Sequence, residues 1–233
     1  MIINIVAGTF GGPLRNGDMI GLLNVVEHLR KHDPNIKLHM TENTISNADY
    51  CKKMFQFLVD KTDYFSLEPG EKELSWRKVN LWDFRDISGD IGVIKNTETM
   101  TKKIVVFPLF DAPYNTYRNW SQQTFKSIID NIDNDEKYND YEKIMCHVTP
   151  LKVAGWKDST DFIENLYHIM TAEMFIGAET GSSVFASALD KPPKDMIYYY
   201  SSRGLVHTLP FNVLRGKGEL RTYWGNFEGT TWQ

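Results

Sequence analysis

The sequence predicts an α/β protein of parallel sheets, and three observations carry that expectation. Short apolar runs (Met1–Ala7, Ile36–Met40, Ile104–Leu109, Ile144–Val148, Met174–Gly177 and Met196–Tyr200) alternate with stretches whose apolar residues recur at helical spacing. The opening order of strand, loop, helix and strand implies parallel pairing, because the crossover helix returns the chain to the same end of the sheet. Small or glycine-rich segments follow the runs at Gly8–Pro13 and Gly177–Ser183, the places where open α/β sheets bind ligands.

The elements follow in order. Between Gly17 and Lys31, Ile20, Leu23, Val26 and Leu29 form an apolar stripe widened by Leu22 and Val25, with Asn16 or Asp18 placed to cap its start. The turn His32-Asp33-Pro34-Asn35 separates this helix from the strand Ile36–Met40. Ser46 is expected to cap a second helix reaching about Thr62, with Cys51, Met54, Phe55, Leu58 and Val59 inward. From Phe65 to Asn96 periodicity fades, and irregular structure anchored by Trp76, Trp82 and Phe84 is expected.

The alternation resumes with the strand Ile104–Leu109, a loop over 110–120, and a helix capped by Ser121 that runs to about Ile132. An acidic, Asn-rich connector over 131–143 leads to the strand Ile144–Val148. The helix Ser159–Thr171 and the strand Met174–Gly177 follow, then the segment Glu179–Ser183, which ends that strand and opens a further helix to Leu189, and the strand Met196–Tyr200. This pattern predicts two Rossmann-like parallel-sheet domains facing a cleft, residues 1–100 and 101–233, in a chain of 233 residues.

Composition narrows the classes of function. With 42% apolar and 24% charged residues the chain has the make-up of a globular protein and not of a disordered one. The net charge of −4 divides evenly between the halves and advertises no polyanion partner. The C-terminal stretch 191–233 is locally basic and aromatic, and is read as a mixed solvated surface ahead of a nucleic-acid face. Cys51 and Cys146 lie far apart with no zinc-ligand spacing, which fits a reducing compartment. With no basic leader and no long apolar window, a cytoplasmic protein with no membrane span is expected. His28 and His32 stand one helical turn apart beside Arg30 and Lys31 and read as a solvated helix end; Asp130–Glu136 lacks the glycine of a calcium loop.

Three loops qualify for chemistry, since each follows a strand and precedes a helix whose positive end faces the same sheet edge. In the first, Gly8–Asp18, the glycine spacing fits neither a dinucleotide fingerprint nor a P-loop, and Asp18 is either a first-turn carboxylate or a general base. The second, Phe110–Trp120, holds Asp111, Tyr114, Tyr117 and Arg118, the last able to grip a diphosphate with its fork or to lie along an aromatic neighbour. In the third, Thr180, Gly181, Ser182 and Ser183 offer backbone amides and hydroxyls to an anion, or simply cap a helix.

Taken together, Gly17-Asp18-Met19-Ile20, Val106-Phe107-Pro108 with Arg118-Asn119-Trp120-Ser121, and Phe175-Ile176-Gly177-Ala178-Glu179-Thr180-Gly181 with Lys191-Pro192 resemble the ADP-heptose:lipopolysaccharide heptosyltransferases, glycosyltransferase family nine. The resemblance implies a GT-B fold and residue roles. Asp18, after Gly17, falls where the family carries its catalytic base, and Arg118 where it usually has a Lys that meets the donor phosphates. Glu179-Thr180-Gly181 falls on an Asp-Thr-Gly that binds the nucleotide sugar, with Ser182 and Ser183 beside it. Glu179 in place of Asp, Val184 in place of a frequent His, and a shorter chain depart from that pattern.

The expected activity is inverting transfer of a sugar from a nucleoside-diphosphate donor to an acceptor hydroxyl, with no cofactor and no obligatory metal. The acceptor is expected to be a glycan or, given a phage-like style of composition, a hydroxymethylated DNA base. The alternative is a non-catalytic protein that binds a nucleotide or nucleotide sugar. Sugar, nucleotide and oligomeric state are not written in the sequence.

Overall fold

The computed structural model of the chain describes residues 1–6, 13–75, 93–110, 118–201 and 219–223. The chain divides into two units, Met1–Asn96 with Ala188–Lys191, and Thr97–Ser187 with Pro192–Gln233. Among the described residues no helix is long and apolar enough to cross a membrane.

The first unit contains β1 (Ile2–Val6), α1 (Asn16–Arg30), β2 (Lys37–Met40), α2 (Asp49–Lys61) and β3 (Lys72–Ser75). Its sheet has the order β2-β1-β3, with both pairings parallel. Every residue of α1 from Met19 to Val26 is buried, as expected of a helix that is apolar around most of its circumference. The apolar spacing in α2 puts Cys51, Met54 and Leu58 inside, each no more than 1% exposed.

Three expectations for this unit need correction. Neither Asn16 nor Asp18 is the N-cap residue of α1: Arg15 holds that position, and Asp18 caps from inside the first turn, its Oδ2 accepting the Arg15 N–H at 3.0 Å. The helix expected from Ser46 begins instead at Asp49. Leu14 N–H donates to Thr44 O at 2.7 Å and Ser46 N–H to Leu14 O at 3.0 Å, so Ile45 is held in a parallel bridge to Leu14 and the helix starts only beyond it. The segment expected to be irregular carries β3, whose Lys72-Glu73-Leu74-Ser75 holds too little apolar pattern to announce a strand.

Its placement is tertiary. Asn4 on β1 clamps Gly70 from both sides, donating Nδ2–H to Gly70 O at 2.8 Å and accepting Gly70 N–H at 2.7 Å. A Cβ at Gly70 would stand 2.0 Å from the Ile2 carbonyl oxygen. Trp76, Trp82 and Phe84 lie outside the described residues.

The second unit contains β4 (Thr101–Phe107), α3 (Gln122–Asp133), β5 (Glu142–Cys146), β6 (Lys157–Ser159), α4 (Phe162–Thr171), β7 (Ala172–Ala178), α5 (Gly181–Ala188), β8 (Asp195–Ser201) and β9 (Glu219–Tyr223). All pairs in its sheet are parallel, in the order β6-β5-β4-β7-β8-β9. The central strands read as continuous apolar runs because both faces are covered. Phe125, Ile128, Ile129 and Ile132 of α3 pack on Ile104, Val106, Met145 and Ile176, while α4 packs against β4 and β7. Ser121 caps α3 as expected, accepting the Thr124 N–H at 3.0 Å.

Strand β5 lies two residues earlier than expected, and α4 starts from Asp161, whose Oδ1 accepts the Glu164 N–H at 2.9 Å. Strands β6 and β9 escaped the sequence reading because both are sheet edges, and β6 is the polar Lys157-Asp158-Ser159. Ala188–Lys191 belongs with the first unit, where Asn96 N–H donates to Asp190 Oδ1 at 2.7 Å and Asn96 Nδ2–H to Lys191 O at 2.9 Å.

A polar cluster around the buried His168 bears on the stability of the second unit. His168 of α4 is 8% exposed, its Nε2 3.2 Å from Glu164 Oε1, and Lys103 Nζ donates to Thr171 Oγ1 at 2.8 Å. Burial and then the Lys103 charge push the His168 pKa below the ordinary histidine value. Above the unfolded pKa both states are neutral and the full stability is present; as pH falls the unfolded chain takes up its proton first and stability is lost. Denaturation midpoints measured from pH 8 to 5 should therefore fall more for the wild type than for His168→Gln.

Candidate functional site

In both sheets the chain leaves to one side of a central strand and returns on the other. In the first unit β1 lies between β2 and β3; in the second, β4 runs out to β5 and β6 before the chain comes back to β7. Loops leaving the carboxyl ends of the strands at such a switch point diverge and leave a crevice. The candidate residues from all three loops fall at these two points.

In the first unit, Gly17 and Asp18 open α1 after the loop that follows β1; Gly8, Gly11 and Gly12 are outside the described residues. Asp18 is half-buried. Desolvation raises its pKa above the usual carboxylate value, and the Arg15 N–H and the Arg15 charge oppose that rise. A carboxylate so placed binds a proton more strongly than an exposed one, as a general base requires. Cys51 on α2 stands close by, its buried thiol raised by desolvation and touched by the Ser46 side chain and the Asn16 backbone. Asn16 Oδ1 is buried with no hydrogen-bond partner among the described residues. From the sequence Asn16 is expected only as a cap, and Cys51 as a core residue without zinc-ligand spacing, because nothing in the spacing shows that α1 and α2 bring them to Asp18.

In the second unit, the loops after β4 and β7 meet. Arg118 Nε lies 3.1 Å from Glu179 Oε1, with the Arg118 side chain 26% exposed and that of Glu179 2%. Trp120, at the described end of the first of these loops, is held in place: its N–H donates to Leu109 O at 2.7 Å, its Nε1–H to Tyr199 O at 3.4 Å, and its ring meets that of Tyr199 edge-on. Asp111, Tyr114 and Tyr117 are outside the described residues.

The Glu179–Ser183 segment is a tight strand-to-helix turn. Ala178 O accepts the Thr180 N–H at 2.8 Å and the Ser183 hydroxyl at 2.5 Å. Ser183, fully buried, therefore spends its proton within the turn and braces it. Thr180 Oγ1 is buried and has no hydrogen-bond partner among the described residues. Gly181 and Ser182 form the first turn of α5 and are half-buried, so their backbone N–H groups belong to the set that no intrahelical carbonyl satisfies.

Gly177 makes the turn possible, since a Cβ there would stand 2.4 Å from Ser183 Oγ and 2.5 Å from the Phe175 ring. Gly177→Ala should cost about 1–3 kcal/mol through overpacking, read as a lowered melting temperature.

His28 and His32 meet as an edge-on ring pair with centroids 6.4 Å apart. Much of the basic-aromatic stretch 191–233 is outside the described residues; within it β8 and β9 are strands.

No protein-family model matches the chain, and no curated protein matches it. Among solved structures, E. coli heptosyltransferase WaaC with ADP aligns over 99% of this chain and 94% of that chain, with a TM-score of 0.52 and 13% identity. At that identity the likeness is one of fold: the chain has the GT-B-like α/β architecture, with two parallel Rossmann-like sheets.

Proposed function

We propose that this chain is a glycosyltransferase that moves a sugar from a nucleoside-diphosphate donor to an acceptor hydroxyl with inversion. The observation that carries the reading is the meeting of two loops at the switch point of the second sheet. There a helix start, a buried Thr180 hydroxyl with no partner among the described residues, and the Arg118–Glu179 pair share one strand edge. The donor diphosphate is received by the Gly181 and Ser182 amides and the Thr180 hydroxyl, while Ser183 keeps the turn in shape.

In the reaction the acceptor oxygen attacks the anomeric carbon and Asp18 takes its proton. The bond from that carbon to the diphosphate oxygen breaks, and the nucleoside diphosphate leaves with the bonding pair. Backbone amides aimed at that oxygen stabilise the charge as it develops and need no reorganisation. The structural neighbour is a heptosyltransferase with ADP, which supports a nucleotide-linked donor. The acceptor we propose is a glycan hydroxyl or a hydroxymethylated DNA base; neither a cofactor nor a metal enters this scheme.

One observation favours a binding protein instead: Asp18 already accepts the Arg15 N–H and so has a structural task. A thermal-shift screen with ADP-, UDP-, GDP- and CMP-sugars tests the donor, since a ligand at a hundred times its Kd stabilises by about 2.7 kcal/mol. Release of free sugar without acceptor separates enzyme from binder.

A further inference from the structure

We propose that Arg118 and Glu179 work as one positioning unit for the donor, Arg118 acting through Glu179 and not on the diphosphate. The proposal rests on the donor-binding reading of the β7–α5 turn and assigns that turn its support.

Glu179 is a carboxylate with a side chain 2% exposed, and the Arg118 Nε 3.1 Å away supplies the opposite charge such a group needs to stay ionised there. The guanidinium charge is then balanced within the protein, so the pair presents almost no net positive charge to a phosphate. What it supplies instead is geometry. Arg118 stands two residues before Trp120, which is held by Leu109 and Tyr199, so the cation projects from a fixed arm. Glu179 immediately precedes Thr180, whose N–H is tied to Ala178 O and whose hydroxyl is buried with no partner among the described residues. Anchoring Glu179 therefore sets the position of the Thr180 hydroxyl and of the first amides of α5 before any ligand arrives, the arrangement that lowers the ordering cost of binding.

A double-mutant cycle on the intact chain tests this, using Arg118→Gln, Glu179→Gln, the double variant and Arg118→Lys. Calorimetric titration with ADP and AMP, repeated with the uridine, guanosine and cytidine pairs, gives the affinities, and melting curves confirm that each variant folds. The expected result is that either single variant weakens diphosphate and monophosphate by a similar factor, about tenfold. The double variant is then no weaker than the worse single one, the diphosphate-to-monophosphate preference stays at the wild-type value, and Arg118→Lys recovers part of the loss.

Collapse of that preference in Arg118→Gln alone, or single effects that multiply in the double variant, would overturn the proposal while leaving the donor site in place. A folded wild type that binds no nucleoside diphosphate removes the donor site itself. Should Arg118→Gln fail to fold, Glu179→Gln and Arg118→Lys carry the same comparison.

Discussion

Asp18→Asn is expected to lower sugar transfer by about 10²–10⁴-fold, the usual share of a positioned proton acceptor, while the protein stays at least as stable near neutral pH. The stability half follows from the raised pKa of Asp18. As pH rises past the ordinary carboxylate range, the unfolded chain ionises first, and the native state loses stability until Asp18 itself ionises. Asparagine has no charge to desolvate, and its Oδ1 still accepts the Arg15 N–H that Asp18 accepts at 3.0 Å. A mere cap would show the opposite signature, with transfer nearly intact. The wild-type rate should also rise with pH through an apparent pKa above that of an exposed carboxylate, and the variant should lack that limb. Transfer under donor saturation, with melting curves on both proteins, checks each part.

Gly181→Val is expected to weaken nucleotide binding by at least about tenfold, because a branched side chain at the start of α5 keeps a diphosphate away from the first amides of that helix. Hydrogen bonds to charged groups are worth about 1.5–3 kcal/mol each, so losing one accounts for that factor. The fold should survive, since Gly181 is half-buried, unlike Gly177, where a Cβ would meet atoms at 2.4 Å. Calorimetric titration of a folded Gly181→Val protein makes the comparison, and unchanged affinity would remove this turn from the donor site.

The alternation of apolar runs and helical stripes was enough to read the parallel α/β class, because strands buried on both faces, such as Ile104-Val105-Val106, leave a strong local signal. The missed strands lacked one. β3 is placed by the Asn4 clamp on Gly70, and β6 is a polar edge. Helix starts were misplaced where a tertiary contact overruled a local cap, as the Leu14–Ile45 bridge does beyond Ser46.

At the candidate site, the three loops were legible because strand–loop–helix order alone puts them at sheet edges. Partnerships were not. Arg118 and Glu179 are distant in sequence, and each looked like a separate departure from the heptosyltransferase pattern. The fold makes them neighbours, so a residue read as a phosphate clamp has its guanidinium against a buried carboxylate. Ser183, read as a ligand donor, gives its hydroxyl to Ala178 O because only the folded turn brings the two within reach.

Phosphorus NMR of the wild type incubated with the nucleotide sugar that stabilises it most follows cleavage of the donor's bond between sugar and diphosphate as it happens. The expected result is slow appearance of nucleoside diphosphate without acceptor, faster appearance with one, and release slowed by about 10²–10⁴-fold in Asp18→Asn despite retained binding. A donor that binds tightly and stays intact with every acceptor offered, or Asp18→Asn turnover equal to that of the wild type, would contradict it.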